Sequence, residues 1–164
     1  MGERKSRLTH IDHQGGIRMV DISQKDVTRR LAVAEGWIRM QPETLNAIEG
    51  AAIAKGDVLT IAQVAGISAG KRAADWVPLC HPLQIDALDV LLTLDRDIPG
   101  VRVEARAGVT SRTGAEMEAL VAASAALLTV YDMCKAIDRG MEIASVRLVE
   151  KSGGRGGTWR RQEK

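Results

Sequence analysis

At 164 residues, with 45% hydrophobic and 27% charged content, the chain has the balance of one globular domain, residues 1–164, with a real core. Net charge is +2 but uneven: Lys151, Arg155, Arg160, Arg161 and Lys164 against Glu163 put +4 in the last stretch. That leaves −2 on the rest and excludes a body that binds polyanions by bulk charge.

Met1–Arg7 leads into no apolar run, so no signal peptide is expected. Cys80 and Cys134 lie far apart with no Cys-x-x-Cys spacing, which suits a reducing cytoplasm. Residues 1–27 read as an irregular N-terminal segment. His10 and His13 are spaced like ligands, but two histidines in a loop without a third donor are a weak metal signal. Thr28–Met40 alternates, with Leu31, Val33 and Trp37 among smaller or polar residues, and predicts a strand. Pro42 opens a short helix through Ile48, closed by Gly50. Asp57 is a good N-cap for a second helix over 57–74, with Val58, Ile61, Ala62, Ala65 and Ala69 on one face. The run Gly66–Arg72 fails as a phosphate loop: three residues, not four, separate its glycines, and no Ser or Thr follows Lys71.

Pro78 and Pro82 exclude helix from Trp76 to Pro82. Cys80 beside His81 invites a nucleophile with its base, but adjacent side chains rarely face each other. Gln84–Asp95 reads as a strand through Ile85, Leu88, Val90, Leu92 and Leu94, and Arg96–Gly100 as a hairpin turn. The returning strand puts Val101, Val103, Ala105 and Ala107 on one face and Arg102, Glu104 and Arg106 on the other.

The strongest signal is the stretch 113–138. Thr113 and Glu116 form a capping box, alanines sustain a helix, and Gly140 is a plausible stop. No charge lies between Ala119 and Tyr131, a run too short to cross a bilayer, so a core helix is expected. One stripe holds Met117, Val121, Ser124, Leu128, Asp132 and Lys135; another, nearly opposite, holds Leu120, Ala123, Leu127, Val130 and Cys134. Such a helix is covered twice, by the sheet and by a second helix or another subunit. Asp132 and Lys135 then end an apolar stripe, either as an exposed pair or as functional charges. Ile143–Val149 is a last strand. The segment Lys151–Gly157 is either a flexible terminus or a glycine-rich, cationic wrap for phosphate.

The order strand, helix, helix, strand, strand, helix, strand gives an α+β class: a ferredoxin-like antiparallel sheet with helices packed on one face. A small RNA-binding module would suit that order and the Arg-Gly-Gly tail. Three Trp, one Tyr and no Phe leave it without aromatic platforms. A purely structural oligomer would explain the two-sided helix but not the charges on its apolar stripe.

Leu79–Pro82, Gly114–Ala119, Tyr131–Ala136 and Lys151–Gly154 resemble the MoaC family, as do Thr9–Ile11, Met19–Asp21, Lys55–Asp57 and Ala65–Ile67. The likeness covers nearly the whole chain. It implies a cyclic pyranopterin monophosphate synthase of molybdenum cofactor biosynthesis, a cytoplasmic lyase. Such an enzyme converts 3′,8-cyclo-7,8-dihydroguanosine 5′-triphosphate to cyclic pyranopterin monophosphate and releases diphosphate. It also implies a hexamer built from dimers, sites at subunit interfaces, and no nucleic-acid or membrane partner. By position, the resemblance makes Lys55, Lys135 and Asp132 catalytic. It has Leu79, Cys80, His81, Met117 and Glu118 line the substrate, and puts Arg30, Glu116 and Lys151 at further functional positions. Ala115 and Arg155 depart from the pattern, where Val and Lys are expected.

The chemistry suits these residue types. Lysines move protons near neutrality when burial or a neighbouring cation lowers their pKa. Arg30, Lys151 and Arg155 can take up charge as diphosphate leaves. No metal site and no redox cofactor are implied; magnesium could accompany the triphosphate, though no carboxylate cluster demands it. Glu118 and Lys135 lie about 26 Å apart along a helix at 1.5 Å per residue. One helix cannot bring both to the same reacting atoms, so a shared site needs two subunits.

Overall fold

The structure, a computed structural model, describes residues 15–162. The His10–His13 pair and Thr9–Ile11 lie outside the described residues. The chain runs β1 (Thr28–Arg39), α1 (Pro42–Glu49), α2 (Val58–Gly70), α3 (Ala73–Trp76), β2 (Ala87–Asp95) and β3 (Gly100–Ser111). It continues through α4 (Glu116–Cys134), β4 (Glu142–Ser152) and β5 (Trp159–Arg160). Five antiparallel strands form one sheet in the order β2-β3-β1-β4-β5, the ferredoxin-like α+β arrangement with one added edge strand.

Alternation sets the two faces of the sheet. On β3, Val101, Val103, Ala105, Ala107 and Val109 are buried, while Arg102, Glu104 and Arg106 point the other way. Ala32 and Ala34 of β1 sit opposite Ala107 and Ala105. This floor of small side chains lets α4 lie across β1, β3 and β4, with Ala119, Ala122, Ala123, Ala126 and Leu127 fully buried. The other side of α4 packs against α2 of the same chain, and Leu128 is left half-exposed. Contact there is close. A Cβ on Gly66 would lie 2.9 Å from the carbonyl oxygen of Ala122 and 3.3 Å from the Ala126 Cβ. By length and composition α4 could cross a membrane, but 61% of its apolar window is buried inside the fold.

Several boundaries differ from the sequence expectation. The capping box does not form: the N-cap is Ala115, with no side-chain cap bond, and Glu116 turns instead to Lys151. Helix α4 ends at Cys134, where the Lys135 N–H returns to the Tyr131 carbonyl, so Gly140 is not its stop. Asp57 does cap α2, accepting from the Thr60 N–H at 3.1 Å. That helix breaks at Lys71–Arg72 before the single turn α3, which reaches Trp76, the first residue of the stretch expected to exclude helix. Ile61 is 42% exposed; the buried face of α2 is Val58, Ala62, Gly66 and Ala69. Gln84 and Ile85 precede β2 as loop. The basic tail is not a free terminus, because Trp159 and Arg160 pair with Lys151 and Glu150.

Replacing Gly66 with Val puts two methyl groups where even a Cβ is crowded by backbone. Gly66→Val should lower unfolding stability by about 1–3 kcal/mol despite removing a helical glycine. Chemical denaturation of the two proteins side by side measures it.

Candidate active site

Two groups of predicted residues form, one at each end of α4. At the C-terminal end, Lys55 is carried on a tight turn in which the Gly56 N–H meets the Ile53 carbonyl at 2.9 Å. Ile53 is buried and Gly56 has φ +102°, which favours glycine. From that turn Lys55 Nζ donates to the Asp132 carbonyl oxygen at 2.7 Å and to Asp132 Oδ2 at 2.9 Å. Lys135 Nζ donates to Asp132 Oδ1 at 2.6 Å. Each carboxylate oxygen thus holds one ammonium. All three side chains are about half-exposed.

The electrostatics follow from that pairing. The hydrogen bonds from Lys135 and then Lys55 pull the Asp132 carboxyl down to about 2, and the same bond to Asp132 pushes Lys135 up. The expected lowering of lysine pKa is not found at Lys135: exposure makes desolvation small, and the carboxylate dominates. Beneath the group, burial raises the Cys134 thiol.

At the N-terminal end, Glu116 and Met117 face Leu79, Cys80 and His81 across a cleft of about 390 Å³. Glu118, one step further on, is only 2% exposed, and its Oε2 has no hydrogen-bond partner among the described residues. Burial, and then the Glu116 charge, raises its pKa. Glu116 is held by Lys151 Nζ at 2.8 Å. Cys80 Sγ points to the His81 backbone carbonyl at 3.6 Å rather than to its imidazole. Burial and the two glutamates push that thiol up, so a Cys–His nucleophile is not built.

A second cleft of about 400 Å³ adjoins, lined by Lys25, Thr28, Arg30, Gly154 and Arg155 among others. The Arg30 guanidinium is oriented by a bond to the Ser111 carbonyl at 3.0 Å. Gly153 and Gly154, both at positive φ, fold against it; a Cβ on either would collide with Arg29 backbone or the Arg30 side chain. Lys25 lines both clefts. The sequence reading missed it, because one lysine in an irregular segment carries no periodic signal.

The sequence model of the MoaC family matches residues 19–154. The chain belongs to the MoaC family. Proteins named cyclic pyranopterin monophosphate synthase from Brucella ovis and Brucella melitensis biotype 2 are 55% identical over 93% of this chain and 93% of their own length. The one from Brucella canis is 54% identical over the same shares. Among the described residues no three His, Cys, Asp or Glu side chains gather as a metal site.

The Asp132 cluster has a definite acid response. Its carboxylate lies at about 2 instead of the ordinary 3.8, so its ion pairs stand in full above 3.8 and are lost as pH falls through about 2. A carbon-detected NMR titration should place the Asp132 carboxyl near 2, and Lys135→Ala should move it back toward 3.8.

Proposed function

We propose that this chain is a cyclic pyranopterin monophosphate synthase. It converts 3′,8-cyclo-7,8-dihydroguanosine 5′-triphosphate to cyclic pyranopterin monophosphate and diphosphate, as a lyase of molybdenum cofactor biosynthesis. The observation that carries the reading is the convergence of Lys55 and Lys135 on Asp132 in a chain of this family.

Both lysines meet the substrate as ammonium groups and act first as proton donors. Either becomes a base once substrate draws it from Asp132 and water is excluded. Asp132 stays ionised and keeps the two cations within reach of one centre. Closing the cyclic phosphate joins a hydroxyl oxygen to the α-phosphorus while diphosphate leaves, so cations are needed along the phosphate chain. Arg30, Lys25 and Arg155 supply them around the second cleft, and Lys151 adds its charge only when phosphate draws it from Glu116. Leu79, Cys80, His81 and Met117 line the substrate around the first cleft, with the buried Glu118 beside them.

The two groups of residues stand about 26 Å apart along α4, so the working site joins the ends of two subunits. We place it in a cytoplasmic hexamer built from dimers, in keeping with the free thiols of Cys80 and Cys134. The RNA-binding reading loses further ground at Trp37. That ring is already stacked by Arg102 and Arg147, with guanidinium carbons at 5.6 and 5.3 Å from its centre.

Incubation with the cyclised triphosphate, with detection of diphosphate and pterin product, tests the activity directly. Lys55→Ala and Lys135→Ala should each reduce turnover by about 10³-fold or more while the oligomer persists. Lys135→Arg should fail almost as badly, since guanidinium holds its proton. Near-normal turnover in either alanine variant removes that lysine from the mechanism.

Subunit mixing tests the shared site. Glu118→Ala and Lys135→Ala proteins, each inactive alone, should regain activity when their subunits exchange, because a mixed pair contains one intact site. Verified exchange without recovered activity would mean that one chain supplies both residues, or that one of them has no part.

A further inference from the structure

We infer that Asp138 is a positioning residue for the reacting end of α4: its carboxylate ties the turn that carries Lys135 to the helix that leads into Lys55. The inference rests on the reading that Lys55, Asp132 and Lys135 form that end.

Asp138 is one of few buried charged residues, 8% exposed, and it follows α4 in the turn toward β4. Its N–H donates to the Cys134 carbonyl at 3.1 Å, which fastens it to the last turn of α4. One carboxylate oxygen, Oδ1, accepts the Gly140 N–H at 2.9 Å and shapes the turn after Lys135. The other, Oδ2, reaches across the fold to accept the Gln41 N–H at 2.9 Å and the Thr44 hydroxyl at 3.5 Å.

Those last two contacts are at the start of α1. This helix has only eight residues, its N-cap Gln41 makes no side-chain cap bond, and Pro42 contributes no N–H. A helix so short is marginal on its own, and a carboxylate at its N-terminus is favourable. Asp138 is therefore the cap of α1, supplied from 97 residues further along the chain. Downstream of α1 the backbone passes Ala51, at φ +51°, and the buried Ile53 before it presents Lys55. A single buried carboxylate thus sets the relation of two backbone segments, each of which delivers one lysine to Asp132. Lys55 has contacts to Asp132 alone among the bonds described, and a shift of its turn would release it to solvent.

The test uses the full chain in its native oligomer, with Asp138→Ala and Asp138→Asn compared well below their thermal midpoints. Asp138→Ala should lower kcat on the order of 10²-fold, the usual consequence of misplacing a reacting group by about 1 Å. KM should move by less than about twofold, because Asp138 bonds to none of the residues that line the two clefts. The Asp132 carboxyl should titrate above its native value of about 2, since Lys55 no longer holds it. Asp138→Asn, which keeps the shape and one accepting oxygen, should fall between wild type and alanine on both readouts. If the alanine variant does not fold, the asparagine variant decides by the same two measurements. A folded variant with wild-type kcat, or a destabilised one with the Asp132 titration unmoved, would overturn the inference and leave Asp138 an ordinary helix cap. Absence of product from the wild type would instead refute the proposed activity, and full activity in Lys55→Ala would refute the assigned centre. In both cases the Asp132 titration still reports on Asp138.

Discussion

The close seating of α4 between the sheet and α2 is the constraint on which the molecule depends. Much of its contact surface is alanine, beside Leu127 and Val130, with alanines of β1 and β3 beneath and Gly66 of α2 alongside. Small side chains bury little area each, so these alanines contribute through many short van der Waals contacts and the low entropy cost of ordering them, beside larger buried groups such as Ile38, Leu127 and Val130. Surfaces packed this closely have little tolerance for added atoms. The position of α4 is correspondingly well fixed on the sheet.

Each end then poses a different electrostatic problem. Asp132 lies in the last turn, where the helix dipole disfavours a carboxylate. Lys55 answers twice, neutralising the side chain and donating to the Asp132 carbonyl, one of the otherwise unpaired carbonyls of the helix end. Lys135 completes the pairing from the C-cap position. The N-terminal end shows the reverse balance. The dipole favours Glu118 as a carboxylate, but burial without a partner for Oε2 opposes it, and burial prevails in the direction of its pKa. A charged cluster in water and a desolvated acid beneath the surface are thus two outcomes of one helix.

Local pattern carried the sequence reading wherever burial is one-sided. β3 was legible because Val101, Val103 and Ala105 alternate with Arg102 and Glu104, and α2 because Asp57 is a true cap. Tertiary competition defeated the rest. Glu116 satisfies a capping-box spacing, yet Lys151 from β4 claims its carboxylate. Ile61 shares a helical face with Ala62, but α4 meets α2 through small residues and leaves the isoleucine outside. The tail resembles a loose terminus by composition, and only the paired edge of β4 gives Trp159 and Arg160 a strand to join. Within the candidate site, Asp132 and Lys135 came from family resemblance joined to their place on a stripe, and Lys55 from the resemblance alone. Lys25 lines both clefts and Asp138 bonds to the start of α1, placements made by the fold for which spacing along the chain holds no signal.

The rigidity of α4 also decides how its two ends can cooperate. A span of about 26 Å could be closed by bending the helix, by moving side chains, or by adding a second copy. Bending requires a proline, a glycine pair or an inserted group, and the stretch from Glu116 to Cys134 contains neither proline nor glycine. Its packing on both sides further resists a kink. A lysine side chain covers only a fraction of the distance, and Lys55 and Lys135 are already drawn inward onto Asp132. Where both ends serve one substrate, as the proposed function has it, what remains is a partner whose helix presents the opposite end. On the proposed function, the isolated chain carries two complementary halves of a site, and assembly is the step that makes it an enzyme.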